Sequence, residues 1–176
     1  MSVELRGEAV TLRAFRPDEY DAVVRRIPGA NDGDPQKERI RRTRVERSGT
    51  RTSVELLLGV EAGGRLVGDV QGRCVEMAMP PGVWEIGIEL WETGDRGRGV
   101  GREAVSLLTG HLFDAEGAHR VQATTDVDNA AMRRVLEVVG FTDEGRVRGF
   151  MPNGDRPPRD YEMYAVTAHD WTMRTR

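Results

Sequence analysis

Arg96-Gly97-Arg98-Gly99-Val100-Gly101-Arg102 is the stretch on which the reading of this chain turns. It follows a strand-like segment at 83–91 and opens the clearest helical pattern, 99–116, where Val100, Ala104, Leu107, Leu108 and Leu112 share one side. A strand, a glycine-rich turn and a helix in that order aim unobstructed backbone N–H groups and the positive end of a helix dipole at one place. That arrangement suits a phosphate or pyrophosphate, and three arginines add charge. The plain alternative is a strand-to-helix turn with solvated arginines, and a short motif alone does not separate the two. Two other phosphate loops fail on the letters. A dinucleotide fingerprint starting at Gly97 needs Gly or Ala where Arg102 stands. A Walker loop needs a Gly-Lys pair, which this chain lacks.

Working outward, the patterns predict a strand at 9–13, then a helix start at Pro17-Asp18-Glu19 with the apolar face Tyr20, Val23, Val24 and Ile27. A turn-rich loop at 28–35 leads into a helix at 36–47 with a poor apolar face. Three antiparallel strands follow at 53–62, 65–77 and 83–91, the first two turning at Gly63-Gly64. After the 99–116 helix come a strand at 120–125, a helix at 129–139 and terminal strands at 142–150 and 159–167. The order describes a mixed α/β domain without repeats or an internal linker, expected to be one domain over 1–176.

Composition bounds the function. The 176 residues suffice for one core without staples. Basic and acidic residues nearly cancel, 26 against 29 for a net −3, which argues against nucleic acid as a whole-molecule partner. One cysteine, Cys74, excludes an intrachain disulfide framework and a multi-cysteine zinc site, and three scattered histidines (His111, His119, His169) speak against a histidine metal cluster, so no metal is expected. No apolar run approaches the roughly 20 residues of a membrane span, and 1–13 lacks the apolar centre of a signal peptide. A cytoplasmic location without membrane partners is the expectation.

Arg96-x-x-Gly99-x-Gly101 resembles the [QR]-x-x-G-x-[GA] acyl-CoA pyrophosphate loop of the GCN5-related N-acetyltransferases (GNAT). Trp84-Glu85-Ile86-Gly87-Ile88-Glu89-Leu90 resembles the strand before that loop. The segment Asn129-Ala130-Ala131-Met132-Arg133-Arg134-Val135-Leu136-Glu137-Val138-Val139-Gly140-Phe141 is similar to the family's N-x-x-[SA]-x-x-x-L-E-x-x-G-F helix. Glu144-Gly145-Arg146-Val147-Arg148, Arg159-Asp160-Tyr161-Glu162-Met163-Tyr164-Ala165 and Leu5-Arg6-Gly7-Glu8-Ala9-Val10-Thr11-Leu12-Arg13 match further segments of the RimJ/RimL-like subgroup, in order along nearly the whole chain.

The resemblance implies a GNAT fold: a central, mostly antiparallel, splayed sheet of six to seven strands with about four helices. It implies coenzyme A, most simply as acetyl-CoA, held as co-substrate. The backbone of Arg96, Gly97, Arg98, Gly99, Val100, Gly101 and Arg102 would hold the pyrophosphate, while Leu90, Trp91 and Asn129 would meet the pantetheine arm, with Arg133 one turn further on. Asn129 is otherwise a plain helix cap and Arg133 a solvated arginine. From Glu85 to Arg96 the chain is one residue longer than the subgroup's usual spacing, which implies a bulge or a longer loop. The positions where the family places its general acids hold Leu136 and Met132. For a base, Glu85 comes first and Glu89 second, since alternation puts both carboxylates on one strand face; a solvated strand face is the alternative. Asp126 and Asp128 suit a turn and helix start better, and Cys74 reads as a small strand residue.

The expected activity is transfer of an acyl group, most simply acetyl, to a primary amine of a protein N-terminus or a small molecule, by direct attack in a ternary complex. Two alternatives stay open: another acyl-CoA such as succinyl-CoA, or a noncatalytic acyl-CoA sensor. A basic cluster at Arg39, Arg41, Arg42, Arg44 and Arg47 would suit an acidic acceptor or, on a third reading, nucleic acid. The resemblance leaves a homodimer open.

Overall fold

The computed structural model describes residues 2–27, 33–74 and 79–174. The 28–32 part of the expected loop and the 75–77 end of the expected second hairpin strand lie outside these residues. Among the described residues the order is β1 (Leu5–Arg6), β2 (Val10–Arg13), α1 (Tyr20–Arg26), α2 (Pro35–Glu46), β3 (Glu55–Ala62), β4 (Arg65–Arg73), β5 (Val83–Leu90), α3 (Val100–Asp114), β6 (Arg120–Asp126), α4 (Ala130–Val139), β7 (Thr142–Asn153), β8 (Arg156–Thr167) and α5 (Ala168–Arg174).

One eight-stranded sheet runs β1-β2-β3-β4-β5-β6-β8-β7. This is slightly more than the expected six to seven strands and four helices, because the two-residue β1 and the short α5 had no periodicity to announce them. Neighbours are antiparallel except β5 and β6, which pair in parallel over three positions only, Val83 to Glu85 against Arg120 to Gln122. Beyond Glu85 the two strands part. β5 keeps its other partner, β4, in continuous register as far as Leu90 opposite Gly68. The sheet is therefore splayed at its centre.

Helices cover both faces. On one, α3 buries Ala104, Leu108 and Leu112 at four-residue spacing, with Val105 beside them, against Leu56, Leu58, Val70, Trp84 and Ile86. α4 adds Leu136 and Val139 to the same core. On the other, α1 and α2 bring Val23, Val24 and Val45 onto Leu57 and Phe15. With both faces covered, β3 reads as an almost unbroken apolar run, Leu56-Leu57-Leu58-Gly59-Val60, rather than an alternation.

The stretch between the expected strands at 142–150 and 159–167 is instead the end of a long β7–β8 hairpin, with Asn153 opposite Arg156 and Gly154 at φ +57° in the turn. The expected bulge is absent from the β4–β5 pairing, which runs without a register shift. A 3₁₀ turn at Thr93–Asp95 stands between β5 and Arg96.

Candidate active site

The Arg96–Arg102 turn lies where β5 leaves the sheet and α3 begins. Gly97 and Gly99 have φ of +73° and +86°, a left-handed backbone that a side chain resists. No heavy atom stands within 4 Å of where a Cβ on Gly97 would be. Gly99 caps α3 without a side-chain hydrogen bond, so the first-turn amides stay available to a ligand. Gly101 turns inward, 3.8 Å from Leu90 Cδ1 and 3.9 Å from Ile88 Cδ1 by its would-be Cβ, and Val100 packs on the core. A groove lined by Arg98, Gly99, Arg102, Arg134, Val135 and Val138 continues from the turn onto the flank of α4.

Asp95 anchors the approach. It is buried, and Oδ1 accepts from Arg65 at 2.9 Å, tying the 3₁₀ turn to the β3–β4 hairpin. Nothing in the local sequence signals this pair.

The open edge of β5 has a definite phase. Trp91 donates its N–H to the Val67 carbonyl of β4 at 3.1 Å, so by antiparallel alternation Ile86, Ile88 and Leu90 turn their amides and carbonyls the other way, into the splay. The Leu90 carbonyl there accepts from the Arg96 guanidinium at 2.9 Å. Leu90 thus lies on the open edge of β5. The Trp91 side chain does not border the splay. It packs on the opposite face with Val24 and Leu57, its indole N–H donates to Asp69 at 3.2 Å, and Arg26 lies 4.8 Å over its ring.

Across the splay, Asn129 caps α4: its Oδ1 accepts the Met132 N–H at 3.1 Å, which leaves the amide NH₂ for other use. The Arg133 guanidinium is engaged inside the protein, 2.7 Å from Glu162, 3.3 Å from the Tyr164 hydroxyl and 3.2 Å from the Val127 carbonyl. Those three partners clamp α4 to β8 and to the loop before it, so Arg133 is not a purely solvated helical arginine. Leu136 is fully buried and Met132 packs on the core, so neither puts an acid near the splay.

Glu85 and Glu89 share one face of β5, as alternation predicts, and that face lies under α1 and α2. Register sets three cross-strand pairs there: Arg73 with Glu85, Gln71 with Gly87 and Asp69 with Glu89. Glu85 accepts from Arg73 at 2.6 Å, whereas Glu89 is exposed. Asp69 is half-buried. Burial pushes its carboxyl up to about 6, the Trp91 indole opposes that, Glu89 adds to it and Arg44 opposes it. Sequence reasoning did not single out Asp69.

The basic cluster of α2 divides. Arg42 pairs with Asp21 of α1, and Arg44 reaches under the helix to Glu55 at 2.8 Å and to Gln71. These two arginines tie α2 to α1 and to the sheet. Among the described residues, no three His, Cys, Asp or Glu side chains group to hold a metal ion, and no helix is long and apolar enough to cross a membrane.

The acetyltransferase (GNAT) domain model matches residues 9–142. No curated protein matches the chain. Among solved structures, Mycobacterium smegmatis RimJ in complex with CoA-disulfide is similar at 24% identity and a TM-score of 0.71, over 99% of this chain and 94% of that one. RimL in complex with coenzyme A aligns at 18% identity and a TM-score of 0.74, over 94% and 98% of the two chains. A ribosomal-protein-S5-alanine acetyltransferase from Vibrio fischeri aligns at 17% identity and a TM-score of 0.73, over 96% and 98%.

Proposed function

This chain belongs to the GNAT acetyltransferase family, and from that premise we propose that it transfers an acetyl group from acetyl-CoA to a primary amine by direct attack in a ternary complex. The observation that carries the reading is the parting of β5 from β6 after three paired residues, with the glycine turn at the mouth of the gap. That gap offers what an acyl-pantetheine chain needs. The Gly97–Arg102 amides and the α3 dipole would take the pyrophosphate, and Arg98 and Arg102 would add charge. The backbone of Ile88 and Leu90 would pair with the pantetheine amides, as an added strand pairs with a sheet edge. The Asn129 NH₂ would donate to the same arm.

The chemistry asks for an amine without its proton, a polarised thioester carbonyl and a proton for the departing sulfur. Glu85 and Glu89 lie on the face where an acceptor would approach, and Glu85 already holds an arginine. The acceptor is proposed to be a protein N-terminus or a small amine. A noncatalytic acyl-CoA sensor is the second reading, favoured by the buried Leu136 where relatives of this family carry an acid.

Calorimetry with acetyl-CoA, followed by thiol release over a panel of primary amines, tests the proposal. Acetyl-CoA should bind, and Gly99→Val should weaken it at least tenfold, about 1.4 kcal/mol, because the +86° backbone and the open approach are both lost. Binding without turnover on any amine would favour the sensor. Unchanged affinity in folded Gly99→Val would remove the site.

A further inference from the structure

Most carboxylates drawn into this fold come with arginines, and Glu103 takes the Ala9 N–H instead. Glu19 and Glu61 share Arg13, Glu55 holds Arg44, Glu85 holds Arg73, Asp95 holds Arg65 and Glu162 holds Arg133. Among the described residues, Asp69 has neither an arginine nor a backbone N–H in hydrogen bond and faces a second carboxylate. Its hydrogen-bond donor is the Trp91 indole at 3.2 Å, and that second carboxylate is its cross-strand neighbour, Glu89. The surrounding cations are engaged elsewhere. Arg44 of α2 holds Glu55 and Gln71, and Arg26 of α1 lies over the Trp91 ring and reaches Glu92 at 3.6 Å. From β3 the facing residue is Gly59, which brings no charge. Placing a half-buried carboxylate beside another, with Arg44 acting on it only through space and no cation in hydrogen bond, costs stability, and such positions are candidates for function.

The place is also right for chemistry. Asp69 is one strand spacing, about 4.8 Å, from the β5 backbone whose far edge opens into the splay. It lies on the face where α1 and α2 border the sheet. We propose that Asp69 receives the ammonium group of the acceptor and takes its proton, with Glu89 as the second carboxylate of the same seat, so that the substrate is a primary amine arriving as a cation. This rests on the acyltransferase reading above. The ammonium passes one proton to the Asp69 carboxylate, which later releases it to solvent. The freed nitrogen lone pair forms the C–N bond to the thioester carbonyl, the C–S bond breaks, and the second nitrogen proton ends on sulfur, giving amide and thiol. The Trp91 N–H stabilises the Asp69 carboxylate and Glu89 destabilises it, so the two neighbours set its basicity in opposite directions.

Thiol release from acetyl-CoA with a panel of primary amines, followed from pH 5 to 9, tests the proposal, with acetyl-CoA affinity measured in parallel. Asp69→Asn, whose amide oxygen can still accept the indole N–H, should lower kcat/KM roughly 10²-fold, leave acetyl-CoA affinity unchanged and abolish the acidic limb of the pH profile. Glu89→Gln should move that limb to lower pH and Trp91→Phe to higher pH, a pair of opposite shifts that a merely structural role would not produce. Wild-type activity and profile in folded Asp69→Asn would overturn the assignment while leaving the acyltransferase reading intact. Limbs unmoved in both Glu89→Gln and Trp91→Phe would also overturn it, and these two variants decide the matter if Asp69→Asn does not fold. A wild-type protein that consumes acetyl-CoA with no amine would bring down the reading and the assignment together.

Discussion

Glu85 and Glu89 sit four residues apart on one strand face, and their neighbours make them different groups. Arg73, itself part-exposed, holds Glu85 at 2.6 Å, so Glu85→Gln removes a half-solvated ion pair worth at most about 1 kcal/mol. With Asp69 as the proton acceptor, Glu85→Gln should keep kcat within about threefold of wild type at pH 7, where Asp69→Asn loses roughly 10²-fold. Steady-state kinetics on any accepted amine checks the contrast, and a 10²-fold loss in Glu85→Gln would return the role to Glu85. The glycine loop was legible because its chemistry is local: left-handed backbone, donors and positive charge lie within seven consecutive letters. Asp69 was not legible. Its significance is the absence of an arginine, and which carboxylate goes without one depends on the β4–β5 register and on Arg44, 25 residues away in a helix whose own sequence reads as solvated. The Arg133 partners were hidden for the same reason: Glu162 and Tyr164 arrive from β8.

At the scale of elements, α3, α4 and the three central strands were readable from period and punctuation. α4 starts at a capping asparagine and ends at Gly140, whose φ of +111° and N–H bond to the Leu136 carbonyl at 3.0 Å close the helix. β1 and α5 were missed because two residues carry no period and because α5 buries none of its side chains. The 153–156 turn was hidden by Pro157 and Pro158, which read as a break in a strand but here stand at the start of the outer hairpin's return. Asn129 allows a test that separates element from site. Asn129→Ala removes the cap on the Met132 N–H and should cost about 1 kcal/mol of stability. Asn129→Asp keeps an accepting oxygen at the cap but loses the NH₂ donor. It should melt at the wild-type temperature and bind acetyl-CoA about tenfold more weakly, by roughly 1.4 kcal/mol. Equal affinity in both variants and wild type would leave Asn129 a helix cap alone.

For the whole molecule, carboxylates of two kinds shape stability against pH. Glu61 is held below its ordinary range by the Arg13 hydrogen bond, and Glu19 likewise, where burial alone would raise it but the bonds from Arg13 and the Arg16 N–H outweigh that. Such groups bind fewer protons folded than unfolded, so the stability they give is present above the unfolded value, about 4.3, and is lost as pH falls through the folded one. They join the 3₁₀ turn before α1 to β2 and β3, and acid should loosen that corner. Asp69 has the opposite sign. Its folded carboxyl, pushed up to about 6, binds more protons than the unfolded one between about 4 and 6, so stability declines as pH rises through that window. Asp69→Asn should abolish the decline. The variant should be more stable than wild type at pH 8, by up to about 3 kcal/mol for a shift of some two pH units, and the advantage should vanish below pH 4, where the wild-type carboxyl is protonated in both states. Urea unfolding at pH 4, 6 and 8 measures this directly. A constant difference between the two proteins across those three conditions would mean that Asp69 titrates like an ordinary surface aspartate, and the cost attributed to leaving it without an arginine would have to lie elsewhere.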